Sequence, residues 1–196
     1  MPTRLVSTTY DGFLATVLSM PRFASLGPGT PTEAAYPHLS GMTLEQIFPC
    51  QPIVHRNLAT ACLSGLWLYH NYLDESHRLS QSIHDRTGSF WHAIMHRREP
   101  DAWNSKYWFD RINQHPEYEA LHAEVQLLAS QQGQTLPQEA GFLCKQAGWN
   151  PHGFVDLCEA TRLGRVNAEA LSLNIQEIEW KLLFAYCYLG AVKPSD

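Results

Sequence analysis

Apolar residues recur at intervals of three and four along most of the chain after residue 56, which is the spacing of one face of an α-helix. The stretch 57–83 carries Leu66, Tyr69, Leu73 and Ile83 at this spacing and contains no proline. It predicts the longest helix of the protein, in which Gly65 indicates a close crossing with a neighbour. A second long helix is predicted over 168–189, with the stripe Leu171, Ile175, Ile178, Leu182 and Ala185.

Shorter helices are predicted between these two by the same pattern and by the residues that begin and end helices. One covers 89–99, begun by Thr87 or Ser89 and stopped by Pro100. Others cover 106–112, 117–130, 137–146 and 153–163. Because alternation typical of strands is almost absent, the sequence predicts an all-α fold, an irregular single-domain helical bundle.

The first 55 residues differ from the rest because they are rich in proline and glycine. They predict an irregular N-terminal arm that packs on a helical domain of residues 56–196, so that the chain forms one domain overall. Within the arm, a short helix is predicted over 43–48, with Thr43 as its N-cap.

Composition narrows the classes of function. The chain has 196 residues, 44% of them hydrophobic, and a net charge of -5, which predicts a folded domain. The absence of a basic stripe argues against a nucleic-acid partner. No apolar run approaches the ~20 residues that span a bilayer, so no membrane partner is expected. Five cysteines without a CxxC pair are typical of reduced thiols, and we expect a cytoplasmic protein.

Histidine is concentrated in one part of the sequence. Seven of the ten histidines lie between His70 and His122. On one continuous helix, a polar row would border the apolar stripe of 57–83, which is typical of a cleft between helices. The row consists of His70, Asp74, His77, Gln81 and His84. An exposed shoulder of a bundle helix would have the same pattern.

His92 and His96 form an HxxxH pair in the predicted helix 89–99, and Glu99 continues their face. Two imidazoles one helical turn apart can bind the same metal ion. His77 or Asp74 could complete the ligand set from the longer helix. The sequence therefore suggests a divalent transition metal held by His77, His92 and His96.

A site without a metal fits the same residues. Neutral histidine can act as a general acid or base near pH 7, oriented by a carboxylate. The candidate catalytic residues are Asp74, His77, His92, His96 and Glu99. Fixed positive charge and an aromatic face could hold a small anionic ligand at the rim, through Arg97, Arg98, Lys106 and Tyr107.

The segments 74–77, 88–101 and 104–109, which read DESH, GSFWHAIMHRREPD and NSKYWF, together resemble a family of bacterial all-helical proteins that has no assigned activity. The resemblance extends over about 40 residues and implies that they form one unit. It implies no catalytic residue. A looser similarity, limited to His92, His96 and His77, is to DinB-like helical bundles, which hold a divalent metal through an HxxxH pair and a third histidine.

Two classes of function follow. The first is an enzyme or binding protein whose pocket lies between the helix of Asp74 and His77 and the helix of His92, His96 and Glu99. A metal-dependent hydrolase is its most specific form. The alternative is a non-catalytic interaction or scaffold module whose histidines are structural.

Overall fold

The computed structural model describes residue 10, residues 12–49 and residues 51–193, with the backbone alone at Gln134. In this part of the chain eleven α-helices and three short 3-10 turns form the molecule, and no strand occurs. The helices are α1 (Gly12–Ser19), α2 (Tyr36–Ser40), α3 (Leu44–Ile47), α4 (Arg56–Tyr69), α5 (Leu73–Gln81), α6 (Arg86–Arg98), α7 (Ala102–Asp110), α8 (Glu117–Gln132), α9 (Phe142–Lys145), α10 (Pro151–Arg162) and α11 (Glu169–Val192). The predicted all-α class is confirmed.

Helix α6 lies at the centre of the bundle. Every residue from Thr87 to Arg98 is buried, because α4, α5, α7 and α10 pack around it. Helix α11 closes the other side of the core against α4, α8 and α10. The predicted close crossing at Gly65 is confirmed, since a Cβ atom there would lie 2.8 Å from the ring of Trp91.

The predicted single helix over 57–83 is wrong. Helix α4 ends at Tyr69, and α5 begins at Leu73 after a sharp reversal. Asn71 makes this reversal with φ of 66°, a left-handed conformation that asparagine tolerates better than most residues. His70 therefore leaves the polar row of α5, and its Nε2 lies 3.1 Å from the carbonyl oxygen of Val17 in α1.

The predicted start of helix 89–99 is also wrong. Helix α6 begins at Arg86, three residues earlier, and Asp85 is its N-cap. The Asp85 carboxylate accepts hydrogen bonds from the backbone N–H groups of Thr87 and Gly88, both at 2.9 Å. For α3, the predicted N-cap is confirmed, because Thr43 and Gln46 form a reciprocal capping box.

The N-terminal arm is more regular than the sequence predicts. It contains α1, α2, α3 and one 3-10 turn, and its apolar side chains belong to the same core as the later helices. Four free cysteines are described, with Cys62, Cys158 and Cys187 buried and Cys144 exposed. Cys50 lies outside the described residues. None of the described helices has the combined length and apolarity that crossing a membrane requires.

Candidate functional site

Three imidazoles converge where α5, α6 and α7 meet. His77 comes from α5, and His92 and His96 come from successive turns of α6. One ring nitrogen from each lies within 4.8 Å of the other two. The ring centroids of His77 are 4.5 Å from His92 and 5.3 Å from His96, and those of His92 and His96 are 4.8 Å apart. The structure thus brings the three predicted metal ligands together.

The proton on His96 can be located from its partners. Nδ1 of His96 lies 2.8 Å from Oε2 of Glu99, and a carboxylate oxygen can only accept. Nδ1 therefore carries the hydrogen and donates it, which leaves the lone pair on Nε2. Glu99 is half exposed, so this contact lies at the edge of the cluster.

Asn104 of α7 packs on the face of the same ring. Its amide nitrogen is 3.1 Å from Nε2 and 3.5 Å from Nδ1 of His96. A donor in the plane of one lone pair would be much farther from the other ring nitrogen. The near-equal distances therefore place the amide over the ring face, where it steadies the imidazole and leaves the in-plane lone pair of Nε2 free.

His92 has the same tautomer for a different reason. The hydroxyl of Ser80 donates to the backbone carbonyl of His77 at 3.1 Å, which uses its only hydrogen. Nδ1 of His92 lies 3.3 Å from that hydroxyl oxygen, and with the hydroxyl hydrogen on the carbonyl we assign Nδ1 as the donor. The lone pair of His92 is consequently also on Nε2. Trp108 of α7 packs on the ring, with centroids 4.1 Å apart.

Burial favours the neutral form of both α6 histidines. It lowers the pKa of His92 to about 3, with further lowering by His96 and His77. Burial also lowers the pKa of His96, although Glu99 acts in the opposite direction. Both rings are therefore neutral at pH 7 and keep the lone pairs that metal binding or proton abstraction requires.

The cluster lies close to the surface, although two of its rings are buried. His92 and His96 are buried, whereas His77 is half-buried and the Glu99 side chain is 51% exposed. A small ligand could approach from the side of His77 and Glu99. Asp74, a predicted catalytic residue, lies on an exposed position of α5 and has no hydrogen-bond or ion-pair partner among the described residues. The structure does not connect it to the cluster.

The predicted rim role of Arg97 is wrong. Its guanidinium is buried and forms a two-pronged ion pair with Glu179 of α11, which is also buried. The ring of Phe154 lies 4.5 Å from the guanidinium carbon. A ligand could not reach this side chain without breaking the core.

The predicted rim role of Arg98 is wrong for a similar reason. Arg98 is buried and donates to the carbonyl oxygens of Gly27 and Pro28 and to Oδ1 of Asn71. These bonds fasten the N-terminal arm to the turn between α4 and α5.

The other two predicted ligand-binding residues lie on α7. Lys106 is half-buried and forms an ion pair with Asp156 at 2.6 Å. Tyr107 is 44% exposed and is the most exposed of the four. Ser80, Asn104 and Trp108 also contact the cluster and were not predicted from the sequence. The spacing of Asn104 and Trp108, one turn apart, was the available signal, but it required knowing that α7 packs against α6.

Comparison of the chain with models of protein families, with curated proteins and with solved structures gives no significant match. The resemblance to a bacterial helical family stays a prediction.

Proposed function

We propose that this protein binds a divalent transition metal through His77, His92 and His96 and uses the metal to bind, or act on, a small anionic ligand. The observation that carries the proposal is the convergence of three imidazoles whose ring nitrogens lie within 4.8 Å of one another. Burying a polar ring nitrogen that has no partner costs free energy. A cation shared by the three imidazoles would give their ring nitrogens a partner.

The hydrogen bonds around the cluster support this proposal. Histidine ligands usually donate their second ring nitrogen to a carboxylate, a carbonyl or another polar group, which fixes the ring and strengthens the ligand. Glu99 supplies this support to His96, and Ser80 supplies it to His92. Both rings then keep the lone pair of Nε2 available for a metal.

The donor set indicates the class of metal. Three imidazoles suit zinc or another late divalent ion, whereas magnesium prefers oxygen ligands. Nitrogens around a tetrahedral zinc ion are about 3.3 Å apart, given Zn–N bonds of about 2.0–2.1 Å. The rings would have to close by small side-chain rotations, and the half-buried His77 has the most freedom to move.

A three-ligand centre leaves a coordination position open. A metal in this position can hold an anionic group, polarise it, or activate water for hydrolysis. In this proposal the metal binds the anionic group, a role that the sequence assigned to Arg97 and Arg98. Both arginines are instead bonded inside the fold. A metal-dependent hydrolase remains the most specific form of the proposal, and the cytoplasm is the compartment that we propose for it.

One observation favours a second candidate, general base catalysis without a metal. Glu99 orients His96 so that its neutral Nε2 could accept a proton, in the manner of a carboxylate–histidine pair. Under this alternative, His77 and His92 shape the site and bind no ion. A scaffold role would require neither metal binding nor activity.

Elemental analysis of protein purified without a histidine tag, followed by zinc titration, tests the proposal. We expect bound or bindable transition metal, and we expect His92→Ala and His96→Ala each to remove most of it without unfolding the domain. His84→Ala, which changes an exposed histidine beyond the end of α5, should leave binding unchanged. Glu99→Ala should weaken metal binding about 10- to 100-fold, the usual effect of losing such a supporting group.

No bound metal, together with no thermal stabilisation by zinc, manganese, nickel or iron(II), would rule out the metal proposal. The general base candidate would then be tested by activity that depends on both His96 and Glu99.

A further inference from the structure

We propose that an exposed row along α7 and its C-cap residue, formed by Trp103, Tyr107 and Arg111, is the binding surface for the ligand of the histidine cluster, and that the ligand combines a planar ring with an anionic group. This inference rests on the proposed function for the identity of the site, but the row has its own structural evidence. The three residues are spaced four apart, so they follow one another along a single face of α7.

The two aromatic side chains are unusually exposed for their size. Trp103 is 76% exposed and Tyr107 is 44% exposed. Their rings are nearly parallel, with an interplanar angle of 11° and centroids 6.0 Å apart. Such side chains offer flat apolar faces on which a planar ring can stack. Because the two rings lie side by side, they expose one joint apolar surface.

Arg111 adds a charge that the fold leaves uncompensated. Its guanidinium lies 5.7 Å from the Tyr107 ring centroid and 5.4 Å from that of Trp108, and it donates one hydrogen bond to the hydroxyl of Tyr107. Among the described residues, no carboxylate forms an ion pair with it. Ring contacts hold the guanidinium in place while its remaining N–H groups stay available for a phosphate or carboxylate.

Helix α7 connects this row to the histidines. Asn104 and Trp108 each follow a member of the row by one residue, and they contact His96 and His92 respectively. The same helix therefore carries the exposed row and the side chains that contact the cluster, and Trp108 links the two through its contacts with His92 and Arg111.

The charge argues for a small anionic ligand over a second copy of the chain. Two copies of the chain, each with a net charge of -5, repel one another, whereas the row presents a single cation beside two aromatic rings, enough for one small anion. A free anionic molecule that carries a ring would satisfy both parts of the surface at once.

Isothermal titration calorimetry with three probes tests this inference. The probes are phenyl phosphate, cyclohexyl phosphate and inorganic phosphate, titrated into zinc-loaded protein and into protein treated with a chelator. We expect phenyl phosphate to bind more tightly than either of the others. Trp103→Ala should weaken phenyl phosphate binding about tenfold, the size of one lost stacking contact, and leave inorganic phosphate unchanged.

Arg111→Ala should weaken binding of all three probes, because each of them contains the phosphate. Leu189→Ala, which removes a 49% exposed apolar side chain from α11, is the control and should change nothing. Equal affinities for the three phosphates, or no effect of Trp103→Ala, would overturn the inference. A stable dimer in sedimentation that Trp103→Ala converts to a monomer would also overturn it.

The two metal states separate this inference from the proposed function. Protein that binds no zinc but keeps a preference for phenyl phosphate that depends on Trp103 would refute the metal proposal and support the binding surface. Protein that binds zinc through the histidines but binds phenyl phosphate no more tightly than cyclohexyl phosphate would support the metal proposal and refute the binding surface.

Discussion

Neighbouring residues of α6 face two different parts of the molecule, and the sequence around them does not show which. His92 and His96 lie on the face toward α5 and α7, whereas Arg97 is turned into the core toward α11. The HxxxH spacing was enough to predict that the two histidines lie side by side. The role of Arg97 could not be predicted, because its partner Glu179 lies 82 residues later in the chain.

The buried pair of Arg97 and Glu179 makes stability sensitive to a single charge. Glu179→Gln should lower the free energy of unfolding by about 3–5 kcal/mol, because it leaves a buried guanidinium without its counter-charge. The double variant Arg97→Met, Glu179→Leu should recover much of this loss, since no buried charge remains. Urea unfolding followed by circular dichroism measures both.

The half-exposed pair of Glu159 and Arg162 provides the control. Glu159→Gln should cost less than about 1 kcal/mol, as is usual for ion pairs near the surface. A similar small cost for Glu179→Gln would contradict the structural role given to the buried pair.

Most helices after residue 83 were predicted, but α1 and α2 were missed, α4 and α5 were predicted as one helix, and several helix ends were displaced. Regular apolar spacing was sufficient for α8, α10 and α11, because each buries one face. The start of α6 was missed because residues 85–88, which read DRTG, have the composition of a turn. In the folded protein Asp85 caps the helix, and Gly88 lies within its first turn, where it is buried against Ile83. The sequence could not show that a glycine here serves packing and does not break the helix.

Gly88→Ala tests this packing. A Cβ atom at Gly88 would lie 2.2 Å from the backbone carbonyl oxygen of Ile83, a contact that no side-chain rotation can relieve. We expect destabilisation of about 3 kcal/mol, at the upper end of overpacking effects, despite the better helix propensity of alanine. Gly148→Ala, at a position with nothing within 4 Å, should be close to neutral. Thermal and urea unfolding of the two variants would refute the packing argument if they lost equal stability.

At the scale of the whole molecule, the arm and the helical bundle form one structure. Arg98 and Asn71 hold the loop around residues 23–30, and His70 contacts the carbonyl of Val17 in α1. The sequence predicted that the arm packs on the bundle but attributed the polar residues involved to a site or a helix face. Such long-range polar contacts leave no periodic signal, so only the three-dimensional structure reveals them.

Two buried histidines outside the cluster should make the stability of the fold depend on pH. Burial lowers the pKa of both His70 and His115 to about 4, from an ordinary value of 6.5. His70 is fully buried against α1, and His115 packs on Phe90 and Tyr186. Their neutral rings fit these surroundings, so the folded state resists protonation.

The direction of the effect follows from comparing the two states. Above about pH 6.5 both histidines are neutral in the folded and unfolded chains, and their contribution to stability is fully present. Between pH 6.5 and 4 the unfolded chain takes up protons that the folded chain does not, so stability falls with decreasing pH. Each histidine contributes a slope of up to about 1.4 kcal/mol per pH unit, and the fall ends once the folded chain also becomes protonated near pH 4.

Urea unfolding at intervals between pH 7 and 5 measures this slope. Because His92 and His96 also have lowered pKa values, the informative comparison is with a double variant, His70→Gln and His115→Gln. Glutamine does not titrate, so the slope of the unfolding free energy against pH should be smaller in the double variant. The decrease should be up to about 1.4 kcal/mol per pH unit for each of the two histidines replaced, whatever the stability of the variant at pH 7. If the double variant is too unstable to measure at pH 7, each single variant should lose the contribution of one histidine to this slope. An unchanged slope in all of them would mean that His70 and His115 are protonated within the fold, contrary to the effect expected of their burial.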